Sequence, residues 1–118
     1  MRELKLNREG KMTEKIGEFE LNKTYLGDCI ELAKKLPNNS IDLIVTSPPY
    51  ADTVSYGEKV EVFNPEKYVN WFLELCKEAQ RFLKPTGSFI LNINDKATNG
   101  ERSTYVFELV YKIVKETG

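Results

Sequence analysis

Ile41-Asp42-Leu43-Ile44-Val45-Thr46-Ser47-Pro48-Pro49-Tyr50 is an apolar run that stops on two prolines. Only Asp42 interrupts the aliphatic residues at its start. A run this short and this continuous predicts a strand covered on both faces, as in a parallel sheet. Consecutive prolines lack amide donors and fix φ, so the ladder must end at Ser47. Ala51 to Phe63, with Gly57, then reads as a long loop, and loops of that length are often functional.

The pattern on either side repeats the theme. Upstream, Asp28 precedes Cys29, Ile30, Ala33 and Leu36 at helical spacing, with Glu31 three residues after Asp28, which predicts a capped helix start. Pro37-Asn38-Asn39-Ser40 ends that helix. Phe19-Glu20-Leu21 and Thr24-Tyr25-Leu26 around Asn22-Lys23 read as a short hairpin. Downstream, Asn64-Pro65 opens a long helix with the stripe Tyr68, Trp71, Phe72, Leu75, Ala79, Phe82 and Leu83. Lys84-Pro85-Thr86-Gly87 stops it, and Ser88 to Asn94 reads as a second buried strand ending in Asn92, Asn94 and Asp95. Asn99-Gly100 turns the chain into a last helix, Tyr105 to Glu116, with Val106, Leu109, Val110, Ile113 and Val114 on one side. Alternating strands and helices predict an α/β fold with a mostly parallel sheet. Ligands of such sheets sit beyond the strand C-termini, where Ser47-Pro48-Pro49-Tyr50 and Asn92 to Asp95 both fall.

Composition narrows the function. At 118 residues and 13.6 kDa the chain is one domain at most. It divides into an arm over 1–17, expected to be flexible, and a folded part over 18–118. The arm carries Arg2, Lys5, Arg8, Lys11 and Lys15 against Glu3, Glu9 and Glu14, a local charge of +2 that would also suit a DNA phosphate contact. The whole chain has a net charge of -1, so no global basic character marks a nucleic-acid binder. The absence of histidine excludes His-based triads, His general bases and His metal ligands, and no metal site is expected. Cys29 and Cys76 are too few for a disulfide framework and suit a reducing cytoplasm. No apolar run approaches a membrane span, and no secretory signal is visible.

The run Ile41–Tyr50 resembles the catalytic S/D-P-P-Y/F loop of DNA amino-methyltransferases. Two neighbouring phrases extend the resemblance over about Lys23 to Asp95: Leu26-Gly27-Asp28-Cys29 with Leu36-Pro37-Asn38-Asn39-Ser40-Ile41, and Phe82-Leu83-Lys84-Pro85-Thr86-Gly87-Ser88. The resemblance implies part of a Rossmann-like, S-adenosylmethionine-dependent methyltransferase fold, with 18–118 as its catalytic half. The substrate it implies is an exocyclic amino group in double-stranded DNA. Such a nitrogen is a poor nucleophile, because its lone pair is delocalised into the ring. Fixed acceptors aimed at its N–H groups favour the tetrahedral, more nucleophilic form without reorganisation. By resemblance, the Ser47 side chain and the Pro48 carbonyl are those acceptors. Pro49 stiffens the turn, and Tyr50 stacks on a base flipped from the duplex. S-adenosylmethionine is the implied cofactor, with Asp28, Cys29, Asn92 and Asn94 on its side of the site. Asp28 also reads as a simple helix cap, and Asn92 and Asn94 as turn formers. Tyr56 and Lys59 lie in the long loop and would contact DNA or merely solvent.

Within the family, an opening Ser leans toward N4 of cytosine and an opening Asp toward N6 of adenine; related protein glutamine methylation typically opens with Asn. Restriction-modification is the implied setting. No G-x-G occurs anywhere in the sequence, so the family's methyl-donor loop is missing, as is room for a target-recognition region. The expectation is therefore a fragment, or one chain of a split enzyme, needing a second chain or a C-terminal half. Homo-oligomerisation through an unfinished sheet edge is the other way to complete it. A catalytically silent binding or scaffold subunit is the alternative from a different class.

Overall fold

The computed structural model describes residues 3–6, 8–48, 65–94 and 97–117. In chain order its elements are β1 (Glu3–Leu6), β2 (Met12–Ile16), β3 (Phe19–Glu20), α1 (Cys29–Lys34), β4 (Ile41–Thr46), α2 (Pro65–Phe82), β5 (Leu83–Leu91), β6 (Ala97–Thr98), β7 (Glu101–Arg102) and α3 (Tyr105–Thr117). β4 and β5 pair in parallel, with Ile44 opposite Phe89, Val45 opposite Ile90 and Thr46 opposite Leu91. α2 connects them, as a parallel pair requires.

The N-terminal segment, expected as an arm over 1–17, carries strands among its described residues. β1, β2 and β3 form an antiparallel sheet in that order, with Leu6 opposite Met12 and Ile16 opposite Phe19. Gly17, at φ +59°, turns β2 into β3, and a Cβ there would lie 3.1 Å from Pro37 Cδ. The turn thus needs glycine both for its backbone and for its approach to the end of α1. The hairpin expected over Phe19–Leu26 also differs. Phe19 and Glu20 pair back onto Lys15 and Ile16, not forward onto Thr24–Leu26. Tyr25 returns to β3 through its side chain instead: its hydroxyl accepts the Glu20 amide at 2.6 Å, and its ring meets Phe19 edge-on at 5.0 Å.

α1 starts where Asp28 predicts. The Asp28 carboxylate accepts from the amides of Ile30 at 2.9 Å and Glu31 at 3.1 Å. Its far end is closed by a residue that periodicity does not flag. Arg81, in the last turn of α2, donates to the carbonyls of Ala33 at 2.9 Å and Leu36 at 2.6 Å, and to Asn38 Oδ1 at 2.9 Å. A guanidinium there satisfies orphan carbonyls and complements the negative helix end. The Ser40 amide donates to the Phe82 carbonyl at 2.8 Å, which ties the start of β4 to the end of α2.

The expected stop at Lys84–Gly87 lies inside β5 as an excursion. Ile41 pairs with Leu83 and Leu43 with Ser88, so the intervening residues bulge out of the ladder. Gly87 closes the bulge. A Cβ at that position would lie 2.9 Å from Leu83 Cδ2, 3.0 Å from the Lys84 carbonyl and 3.1 Å from the Asp42 carbonyl. The Asn99-Gly100 turn, with φ values of +53° and +82°, joins β6 to β7 as a two-residue hairpin loop.

Two apolar clusters hold the layers together. Ala33, Ala79 and Phe82 join α1 to α2, with Ile41 and Ile44 of β4 packed against them. Tyr68, Val69, Phe72, Cys76, Tyr105 and Leu109 join α2 to α3, with Phe89 and Leu91 of β5 packed against them. α2 is buried over a wider arc than its predicted stripe, since Val69, Leu73 and Cys76 are also inside. In α3, Val110 and Val114 are exposed, whereas Leu109 is buried with Tyr105. The expectation that β4 is covered on both faces is also corrected. Ile44 and Thr46 face the helices, while Leu43 and Val45 stand 53% and 66% exposed on the other side, beside Ile90 at 53%.

Candidate functional site

The pairing of Thr46 with Leu91 brings the C-terminal ends of β4 and β5 abreast. One further backbone bond, from the Asn92 amide to the Thr46 carbonyl at 2.9 Å, carries the ladder past the last paired residues. Ser47 and Asn92 therefore leave the sheet side by side. Both side chains are exposed, while Pro48 is buried. A polar hydroxyl and an amide at the mouth of a parallel sheet, with a buried proline fixing the exit of the chain, form a rigid rim of donors and acceptors.

Asn94 is held from outside the strand. Tyr105, buried at the start of α3, donates its hydroxyl to the Asn94 carbonyl. This anchor was not foreseen from the sequence, where Tyr105 marks only the opening of an apolar helix. Its signal would have been a tyrosine among aliphatic core positions, because a buried hydroxyl needs a partner.

Asp28 and Cys29 sit at the N-terminal end of α1. Both capping bonds of Asp28 go to Oδ1. Cys29 lines an apolar cavity of about 520 Å³ together with Val45, Thr46, Tyr25, Leu32 and Phe89. Cys29 thus shares that cavity with the end of β4. Asp28, Asn92 and Asn94 do not line it, so the structure joins the four expected cofactor residues only in part. Burial, with the Asp28 charge adding to it, pushes the Cys29 thiol above its ordinary value. Burial alone pushes Cys76 up to about 12. Both stay protonated at neutral pH, which suits neither to nucleophilic work. Pro49, Tyr50 and the Ala51–Phe63 loop, including Tyr56 and Lys59, lie outside the described residues. No helix among the described residues is long and apolar enough to cross a membrane.

Comparison with known proteins gives a consistent picture. Residues 41–117 match the family model described as DNA methylase. The type II methyltransferase M.PvuII of Proteus hauseri is 38% identical over 98 residues, which are 80% of this chain and 28% of that protein. M.BamHI of Bacillus amyloliquefaciens is 41% identical over 76 residues, covering 63% of this chain and 18% of its own length. The DNA adenine methyltransferase YhdJ of Escherichia coli K12 is 34% identical over 67 residues, 56% of this chain and 23% of its own. Among solved structures, the cytosine-N4-specific PvuII DNA methyltransferase matches with a TM-score of 0.67 at 36% identity, over 80% of this chain and 33% of that one. The fold is thus that of part of an α/β methyltransferase domain, and the chain spans about a third or less of the length of each of these proteins.

Proposed function

The chain belongs to the DNA methylase family, and on that premise we propose that it holds the target amino group in a site-specific DNA methyltransferase acting on N4 of cytosine. The observation that carries this reading is the placement of Ser47 and Pro48 at the end of β4, directly beside Asn92. The Ser47 hydroxyl and the Pro48 carbonyl accept from the N–H groups of a base flipped out of double-stranded DNA, raising the electron density available on its nitrogen. Tyr50 stacks on that base, an interaction worth about 1–3 kcal/mol. The proton lost on methylation passes to solvent at the exposed rim.

S-adenosylmethionine, when bound, supplies the methyl group. Asp28, Asn92 and Asn94 would hold one side of it. Asp28 caps α1 with one oxygen and keeps Oδ2 for a ribose hydroxyl, while Asn92 and Asn94 offer amide groups at the strand end. The glycine turn of the other side does not occur in the sequence. The remainder of the site belongs to a second chain or a further segment, and the modification serves restriction-modification in the cytoplasm. Adenine N6 is the second reading, supported by the similarity to an adenine methyltransferase.

Transfer of labelled methyl groups to duplexes that lack either cytosine or adenine outside a fixed flank tests this proposal. The expected outcome is transfer only to cytosine-containing duplexes, falling at least tenfold in Ser47→Ala. Transfer confined to adenine assigns the second reading. Transfer indifferent to Ser47→Ala removes Ser47 from the chemistry, and no transfer by the assembled protein leaves a binding or scaffold subunit.

A further inference from the structure

A phenylalanine would fill the space that the Tyr105 ring fills. The ring is 2% exposed, edge-on to Tyr68 at 5.5 Å, and inside the cluster that joins α2 to α3. Packing alone therefore does not call for the oxygen, and a hydroxyl taken into an apolar core costs free energy unless it finds a partner. The partner here is the Asn94 carbonyl. Asn94 lies beyond the last paired residue of β5, where the ladder no longer fixes the backbone.

That bond is one of three restraints on the same short segment. The Asn92 amide donates to the Thr46 carbonyl at 2.9 Å. Ile93 packs, partly buried, against the α2–α3 cluster. Tyr105 holds the third residue. The segment 92–94 is thus tied down at each position, while both asparagine side chains remain exposed. Exposed polar groups on an immobilised backbone are what a preorganised rim requires. The anchor also reaches past the loop that carries β6 and β7, so it ties the rim to the helix core rather than to that exposed hairpin. We propose that Tyr105 is a positioning residue for S-adenosylmethionine: its hydroxyl sets the Asn94 main chain, and through it the amides on the cofactor side of the rim. This rests on the methylase reading of the rim.

Tyr105→Phe keeps the ring and removes only the oxygen. In the 118-residue chain it is expected to speed amide exchange over residues 92–94 at least tenfold, with exchange in α2 unchanged. In the assembled protein, calorimetry should show the Kd for S-adenosylmethionine rising about fivefold, the scale of one lost hydrogen bond, with the number of sites unchanged. Loss of folded molecules would instead lower the number of sites and leave Kd in place. Phe72→Leu serves as the control, because it loosens the same cluster and leaves the hydroxyl alone. It should lower the unfolding midpoint without moving Kd. Unchanged exchange over 92–94 overturns the proposal, as does an unchanged Kd, or a Kd that Phe72→Leu raises equally. Should Tyr105→Phe fail to fold, Asn94→Gly in the same assembly, which keeps the bonded carbonyl and deletes the positioned amide, must raise Kd, and an unchanged Kd overturns the proposal. Binding is read without methyl transfer, so an assembly that binds and never methylates removes the function reading alone, whereas one that does not bind S-adenosylmethionine overturns both.

Discussion

Gly87 sits where a side chain has no room. Its backbone conformation is not the reason; the Leu83 side chain and the carbonyls of Lys84 and Asp42 are. Gly87→Ala is expected to cost about 1–3 kcal/mol, as overpacking does, because two of the three obstacles are backbone atoms. Urea unfolding should show a lower midpoint with an unchanged slope. Cys76 makes a different prediction. Its folded pKa, pushed up to about 12 by burial, lies above the ordinary thiol value. The folded state therefore holds the proton more tightly, so the associated stability is complete below about pH 8.5 and is lost as pH rises toward 12. Thermal unfolding between pH 8 and 12 should show this loss, and Cys76→Val should make it shallower, the remaining slope coming from Cys29, Lys23 and Lys34, whose pKa values are also raised.

At the scale of elements, α1 shows what local sequence can and cannot specify. Its start is written in Asp28 and Glu31, and the cap forms as the spacing predicts. Its end depends on Arg81, which lies more than forty residues away in the chain. Arg81→Ala is expected to lower stability by about 2 kcal/mol, the range for charged hydrogen bonds, and Arg81→Lys should recover only part of it, having lost the planar fork. Chemical unfolding measures both. The strand Ile41–Thr46 and the helix from Pro65 are legible for the same reason as the cap: their signals are local and periodic. β3 is not, because Phe19-Glu20 has two neighbours it could pair with. It pairs with β2 through the glycine turn at Gly17, where a Cβ would crowd Pro37, a non-local fact. The site divides in the same way. Ser47 and Pro48 are readable from the proline pair, and Asn92 from its position after an apolar run. Their adjacency, and the grip of Tyr105 on Asn94, required the register of β4 against β5.

For the whole molecule, the pattern of exposure is the informative quantity. The strands read as covered on both faces, and the side chains of Leu43, Val45 and Ile90 show one face open. The sequence pattern reports what the strands are built to meet, whereas the structure reports what these 118 residues supply. The similarity to proteins several times longer agrees with that difference. The claim on which everything else depends is that the rim of β4 and β5 serves methyl transfer to a base amino group. Mass spectrometry of nucleosides from DNA exposed to the protein, together with the second chain or further segment that completes its site, and S-adenosylmethionine tests it most directly. N4-methylcytosine that disappears in Ser47→Ala is the expected result. DNA with no methylated exocyclic amine, from an assembly shown to be intact and to bind S-adenosylmethionine, would contradict it.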